Sequence, residues 1–316
     1  MDYGRIRRPL FALLSGILAA CSSAPARAQA WLPPQGEAWF SIGYGNVFVT
    51  KHYFGNVNPG EIDAGHIRGQ SIAMQLGYGL TDRFALSVSL PYVISKYYGP
   101  FPHPTNLDNG QYHGTFQDYR INLGYQLFNR LIAVAPFATA VIPSHSYQYY
   151  AHSAPGRDLH EYQLGVSAGS RLDRIISGTY WQATYSYAFV ERVAGIHHDR
   201  SDVALEAGYF LTPELSARLL GTGYYTHGGI VFHSPFDLPP ELFPHHDQIG
   251  HSSEINLGGG LAYVLTGSTV VYASYFRSVY GRDSHKIDHG LNFGVGWSFS
   301  PAQLVRRYFP SRSASS

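Results

Sequence analysis

Carboxylates and guanidiniums in this chain recur near the ends of stretches that alternate in polarity. Asp118, Glu161, Asp202 and Glu254 each fall within the first few residues of such a stretch, and Arg68, Arg120 and Arg277 lie at similar depth. On a tube-like fold that spacing sets Asp118, Arg120, Glu161, Asp202, Glu254 and Arg277 in a mixed-sign ring. Such a ring can act as a constriction that selects by size and local field. The same residues can equally form ion pairs that simply fill the interior, since buried pairs commonly serve structure. Both readings stay open at this level. Arg171 and Arg218 are placed lower on the same faces, with Glu206 near the middle.

Histidine is abundant, with 16 in the chain. His227, His233, His245, His246 and His251 cluster around the segment 228–250, and His197 and His198 occupy a shorter link. Imidazoles beside Asp237 and Asp247 can bind a transition metal or respond to pH. Their spacing matches no recognised zinc pattern, so no metal or other cofactor is assigned, and they are read as exposed loop polarity. A hydrolytic site would need a nucleophile, a base and an orienting group converging at one rim. Ser252 or Ser253 with His251 and Asp247 comes nearest, yet no motif sets them on convergent strands, and an enzyme is not expected.

The elements that carry these residues are strands. Tyr and Phe are numerous at 25 and 18, charged residues make up only 14%, and no stretch beyond residue 20 has eighteen consecutive apolar residues, which excludes a transmembrane helix. A soluble enzyme carries about a quarter charged residues. The net charge of +1 gives no reason to expect a nucleic-acid partner.

From residue 37 the pattern has period two. In 180–190, Trp181, Ala183, Tyr185, Tyr187 and Phe189 share one face and Gln182, Thr184 and Ser186 the other. Segments 117–128 and 290–299 behave alike. Strands are predicted at 37–50, 66–81, 83–95, 114–129, 131–144, 159–172, 177–192, 200–211, 214–227, 251–265, 269–280 and 288–299. Segments 131–144 and 269–280 alternate poorly, which leaves ten or fourteen strands as alternatives. Links alternate between short and long, the long ones at 51–65, 96–113, 145–158, 193–199, 228–250 and 281–287. That is the signature of an all-β, closed antiparallel transmembrane β-barrel of about 12 strands, with short periplasmic turns and long extracellular loops. Closure is compulsory, because an open sheet edge in lipid leaves backbone groups unsatisfied.

The longest link contains Phe232, Phe236 and Phe243 among several prolines. Prolines keep it out of a ladder and the aromatics need burial, so it is expected to fold over or into the mouth as a lid. Ahead of the strands, Arg5, Arg7 and Arg8 followed by the apolar run Leu10 to Ala20 read as an export leader over 1–28. Leu18-Ala19-Ala20-Cys21 offers a competing lipoprotein box. Residues 29–36 are then a short periplasmic segment, 37–299 the barrel and 300–316 a periplasmic or disordered tail. Fewer than ten residues precede Glu37 after cleavage, so no plug domain is expected.

The stretch Gly77-Tyr78-Gly79-Leu80-Thr81-Asp82-Arg83-Phe84-Ala85-Leu86-Ser87-Val88-Ser89-Leu90-Pro91-Tyr92-Val93 resembles a hairpin of outer-membrane proteins named for the MetA pathway of phenol degradation. Gly114 to Tyr125 sits where a second element of that family would lie, offset by about a residue. The resemblance implies a monomeric barrel in a Gram-negative outer membrane that passes small hydrophobic or aromatic compounds. The partners expected are membrane lipid and lipopolysaccharide, the barrel-assembly machinery during insertion, and the small-molecule permeant. The alternative is a barrel with a closed lumen and a structural or surface-interaction role.

Overall fold

The computed structural model describes residues 30–54, 60–62, 65–99, 103–232 and 238–303. The expected leader and all but the first four residues of the expected tail lie outside this range, as does Phe236. Twelve long strands follow one another: β1 Ala38–Phe54, β2 His66–Gly79, β3 Phe84–Tyr98, β4 Asp118–Tyr125, β5 Ala133–Pro143, β6 Glu161–Arg171, β7 Thr179–Val190, β8 His198–Phe210, β9 Leu215–Gly228, β10 Ser253–Thr266, β11 Thr269–Arg282 and β12 Ser284–Phe299. Each pairs antiparallel with the next, and β1 pairs with β12 from Ala38 opposite Phe299 to Tyr53 opposite Ser284. The result is a closed barrel with both ends of the strand series on one rim. A short ribbon, His113–Phe116, extends β4 upward along β3 after a break at Gln117.

Alternation sorts the side chains. Tyr119, Ile121 and Leu123 of β4 point outward and are exposed, as are Val203, Leu205 and Tyr209 of β8. Their neighbours Arg120, Asn122, Asp202 and Glu206 point inward and are shielded. On one rim the turns are tight, as at Gly267-Ser268 and 211–214. On the other they are long, and their residues turn inward: Ala151 and His246 have 0% of their surface exposed.

One expectation about the chain's course needs correction. The link 281–287 is not a long loop, because β11 runs to Arg282 and β12 starts at Ser284, with Asp283 alone between them at φ 43°. Its polar residues, Arg282, Asp283, Ser284, His285 and Lys286, look like loop, but β11 pairs upward with β10 and β12 with β1. The two limbs pair with each other only from Thr269 opposite Trp297 to Phe276 opposite Gly290. Above that the Ser278 hydroxyl accepts the Ile287 N–H at 3.0 Å.

Residues 30–34, within the segment expected to be a short periplasmic N-terminus, pack into the tight-turn end of the barrel. Ala30 is fully buried, the Leu32 N–H donates to Gln126 Oε1 at 2.9 Å, and Gln126 Nε2 donates to the Ala30 carbonyl at 3.0 Å. Trp31 occupies space in front of Gly169, where a Cβ would come within 2.6 Å of its ring.

Replacing Leu205 on the outer face with Arg should cost about 2–4 kcal/mol, the price of a guanidinium near the bilayer midplane. Urea unfolding in lipid vesicles, followed by heat-modifiable gel mobility, would measure it; an unchanged midpoint would place that face out of lipid.

Candidate functional site

In the half of the lumen beneath the long loops lies a cavity with two unlike walls. Val47, Val49, Ile67, Val141 and Leu159 supply an apolar side, and Asp118, Arg120, Arg157, Glu161 and Arg200 a charged one. The apolar side arises because β1, β2 and β5 carry aliphatic residues at inward positions, where Val47, Val49 and Ile67 cluster with Tyr97, Phe276 and Ile287.

The charged side is a connected network. Glu161, at the head of β6, is buried and bound by Arg157 from the preceding loop and by Arg200 Nη2 at 3.2 Å. Arg200 also donates through Nε to Asp202, at 2.9 and 3.1 Å from its two oxygens. Gln163 Nε2 reaches Glu161 Oε2 at 3.3 Å, and Arg120 donates to Gln163 Oε1 at 3.4 Å. Asp118 accepts the Tyr147 hydroxyl proton at 2.5 Å. Burial, then the neighbouring Asp118 carboxylate, push the Tyr147 hydroxyl well above its ordinary range, which keeps it a donor. Taking two charges out of water costs several kcal/mol per ion, and only such multiple contacts offset it.

Of the residues expected to line the lumen, Asp118, Arg120, Glu161 and Asp202 meet in this network. Glu254 lies apart from it, buried, with the Ser278 hydroxyl 2.8 Å from Oε1. Arg277 does not face the lumen. It shares the outward parity of Tyr275 and Val279 and is exposed, since Phe276 and Ser278 take the inward positions. Arg68 is outward too, with its guanidinium 5.0 Å from the Phe48 ring centroid. Lower down, Glu206 accepts from Tyr180 at 2.6 Å and faces Arg218 Nη1 at 3.8 Å. Arg171 sits exposed at the rim with Asp173.

Arg157 and Arg200 were missed as network members. The Arg200–Asp202 pairing was legible, since residues two apart share a face of a strand. Arg157 comes from a loop and left no such signal.

Three loops interlock above the cavity. The segment 151–153 enters the lumen beneath β3, where the His152 ring stacks on Tyr97 at 4.5 Å between centroids. Asp108, in a short 3-10 turn Asn106–Asp108, accepts the N–H groups of His152 at 2.8 Å and Ser153 at 3.0 Å. Burial alone would raise the Asp108 carboxyl, but its bond with His103, the nearby His152 and the bond from Ser153 hold it at about 2. The long segment from 229 turns inward through Phe232, which is buried, and the short helix α1, His246–Ile249, also buried. Phe243 lies edge-on to Tyr150 at 6.0 Å, and Gln248 Nε2 donates to the Arg157 carbonyl at 2.7 Å. The trio weighed as a hydrolytic site takes other contacts. Ser252 Oγ is 3.4 Å from Thr226 Oγ1, His251 turns Nδ1 to the Gly228 carbonyl, and Asp247 lies beside His246.

No protein-family model and no curated protein sequence matches the chain. Among solved structures, an outer membrane channel from Pseudomonas putida F1 aligns over 86% of this chain and 98% of its own, with a TM-score of 0.65 at 13% identity. The NanC porin covers 82% of this chain and 98% of its own at 9% identity, but its TM-score of 0.47 is too low to bear on this chain. The chain thus has the fold of an outer-membrane β-barrel.

Replacing Glu161 with Gln leaves the buried Arg200 and the partly buried Arg157 without their shared counter-charge. Unfolding in vesicles should show a loss of about 3–5 kcal/mol; a loss under about 1 kcal/mol, the scale of an exposed pair, would show that the network is solvated.

Proposed function

We propose that this chain is a channel of the outer membrane of a Gram-negative bacterium that passes small solutes combining an apolar ring or chain with a polar group. The observation that carries this reading is the two-walled cavity. Val47, Val49, Ile67 and Val141 offer a surface for an apolar body, and Arg120, Arg157 and Arg200 face it with fixed charge. Ligand sites are mostly apolar, with a few convergent polar groups that set orientation. The hairpin Gly77 to Val93, with its resemblance to aromatic-compound proteins, favours an aromatic permeant.

In this reading Asp118, Arg120, Glu161, Asp202 and Glu254 give the lumen its field, and the segment carrying Phe232 and Phe243 serves as the lid. Charged rings select by local field, and a carboxylate facing the lumen attracts cations. In planar bilayers Asp118→Ala and Glu254→Ala should therefore move the reversal potential in a salt gradient toward anion preference. An unchanged potential in both would contradict a selecting role. Removing 232–246 should raise single-channel conductance severalfold, and an unaltered conductance would count against a lid.

A second reading, a closed lumen with a structural or surface role, draws on the burial of Ala30 at one end and His246 at the other. Liposome uptake of benzoate or phenol by the wild-type protein separates the two. Flux above that of protein-free vesicles supports passage. If neither wild type nor the 232–246 deletion gives flux, the closed reading stands.

A further inference from the structure

We propose that His103, His246 and Asp247 form a binding site for a transition-metal ion of the zinc class at the mouth of the barrel, with Asp108 and the Phe243 carbonyl positioning the two imidazoles. All three ligands are buried, and each offers a ligand atom within 4.8 Å of the others. His246 Nε2 lies 3.2 Å from Asp247 Oδ1. Two ligands held ~2.0–2.1 Å from a tetrahedral zinc ion stand ~3.3 Å apart, so this pair already has the edge length that coordination requires.

The protons are placed to match. His246 Nδ1 is 2.6 Å from the Phe243 carbonyl oxygen, which can only accept, so Nδ1 carries a hydrogen and, in the neutral ring a metal requires, Nε2 holds the lone pair. His103 Nδ1 is 3.1 Å from Asp108 Oδ2, which leaves its Nε2 as the lone-pair donor in the same way. A carboxylate behind a ligating imidazole fixes its orientation and raises its basicity. Asp108 suits that part because it also accepts from the backbone of His103, His152 and Ser153 and from the Ser153 hydroxyl, at 2.8–3.3 Å. His103, Asp108 and His152 are mutually within 4.8 Å as well. With Asp108 committed to so many donors, that group serves as the frame of the site.

A separate observation points the same way. His52 of β1 is fully buried, and neither of its ring nitrogens has a hydrogen-bond partner among the described residues. Its ring is 5.9 Å from His152, which is 4.3 Å from His103, which is 5.6 Å from His246. Buried polar groups are normally satisfied, so the unbonded ring nitrogens of His52 mark an imidazole pocket that the described residues leave short of polar partners. A divalent ion of this class takes up imidazole nitrogen lone pairs in such a cluster. Two imidazoles and one carboxylate suit zinc, copper or nickel better than calcium or magnesium, which take oxygen ligands.

The test uses the full mature chain, folded in detergent and checked by heat-modifiable mobility, titrated with Co²⁺ and followed by its visible absorption and displacement by Zn²⁺. One ion per chain is expected. His246→Ala and Asp247→Asn should weaken binding by at least ~100-fold, and Asp108→Asn by roughly 10–100-fold, while His289→Ala, on β12 outside the cluster, leaves it unchanged. Binding by His246→Ala and Asp247→Asn equal to that of wild type would overturn the proposal and favour the His103, Asp108 and His152 group. Wild type that takes up no Co²⁺ would overturn it outright. Should the variants not fold, the Cu²⁺ electron paramagnetic resonance spectrum of wild type decides: hyperfine coupling to two imidazole nitrogens supports the site, and an all-oxygen spectrum refutes it.

Discussion

A backbone surrounded by hydrocarbon has no water to bond to, so every N–H and C=O must find its partner within the protein. The pairing of β1 with β12 along their whole length meets that demand and removes the last open edge. All else follows from closure. Once the sheet is a tube, one parity of side chains faces lipid and has to be apolar, as with Tyr119, Ile121 and Leu123. The other parity takes the polar residues, and the charges among them are confined to a narrow lumen. They cannot stay unpaired there, and Glu161, Arg157, Arg200 and Asp202 consequently bind one another.

The lumen is then narrowed from both ends by pieces of chain too short to be domains. Residues 30–34 enter from the rim with tight turns, held by Gln126 just past the end of β4. From the opposite rim, 103–108, 151–153 and 243–249 fold inward and bind one another through Asp108, Tyr150 and His246. Between these closures remains the two-walled cavity. Its chemistry is a consequence of the sheet: β1, β2 and β5 present aliphatic inward faces, whereas β4, β6 and β8 present charged ones.

Closure and twelve strands were legible because period two persists through most of the chain and turn residues interrupt it at regular distances. Alternation failed where the inner face was itself apolar. On β5, Ala133, Ala135 and Val141 point inward, so both faces read as greasy. On β11, Tyr272 and Phe276 point inward over glycines; a Cβ at Gly294 would meet the Tyr272 hydroxyl at 2.3 Å, and one at Gly290 the Phe276 ring at 2.2 Å. The same inward Phe276 explains the misplacement of Arg277, whose charge suggested the lumen although its parity points out. The meeting of His103, Asp108, His152 and His246 had no local signature, since it joins three loops far apart in the chain. Composition showed histidines in excess, and only folding shows which ones share a pocket.

The account stands on the two faces of the sheet meeting different media. Spin labels at single cysteines introduced one by one over 181–190 in lipid vesicles would test this directly, through collision rates with oxygen, which partitions into lipid, and with a polar relaxation agent. Oxygen accessibility should peak at alternate positions, at Ala183, Tyr185 and Phe189, with minima at Gln182, Thr184 and Ser186. A profile without period two, or with equal access of the polar agent to both sets, would contradict a membrane-spanning barrel.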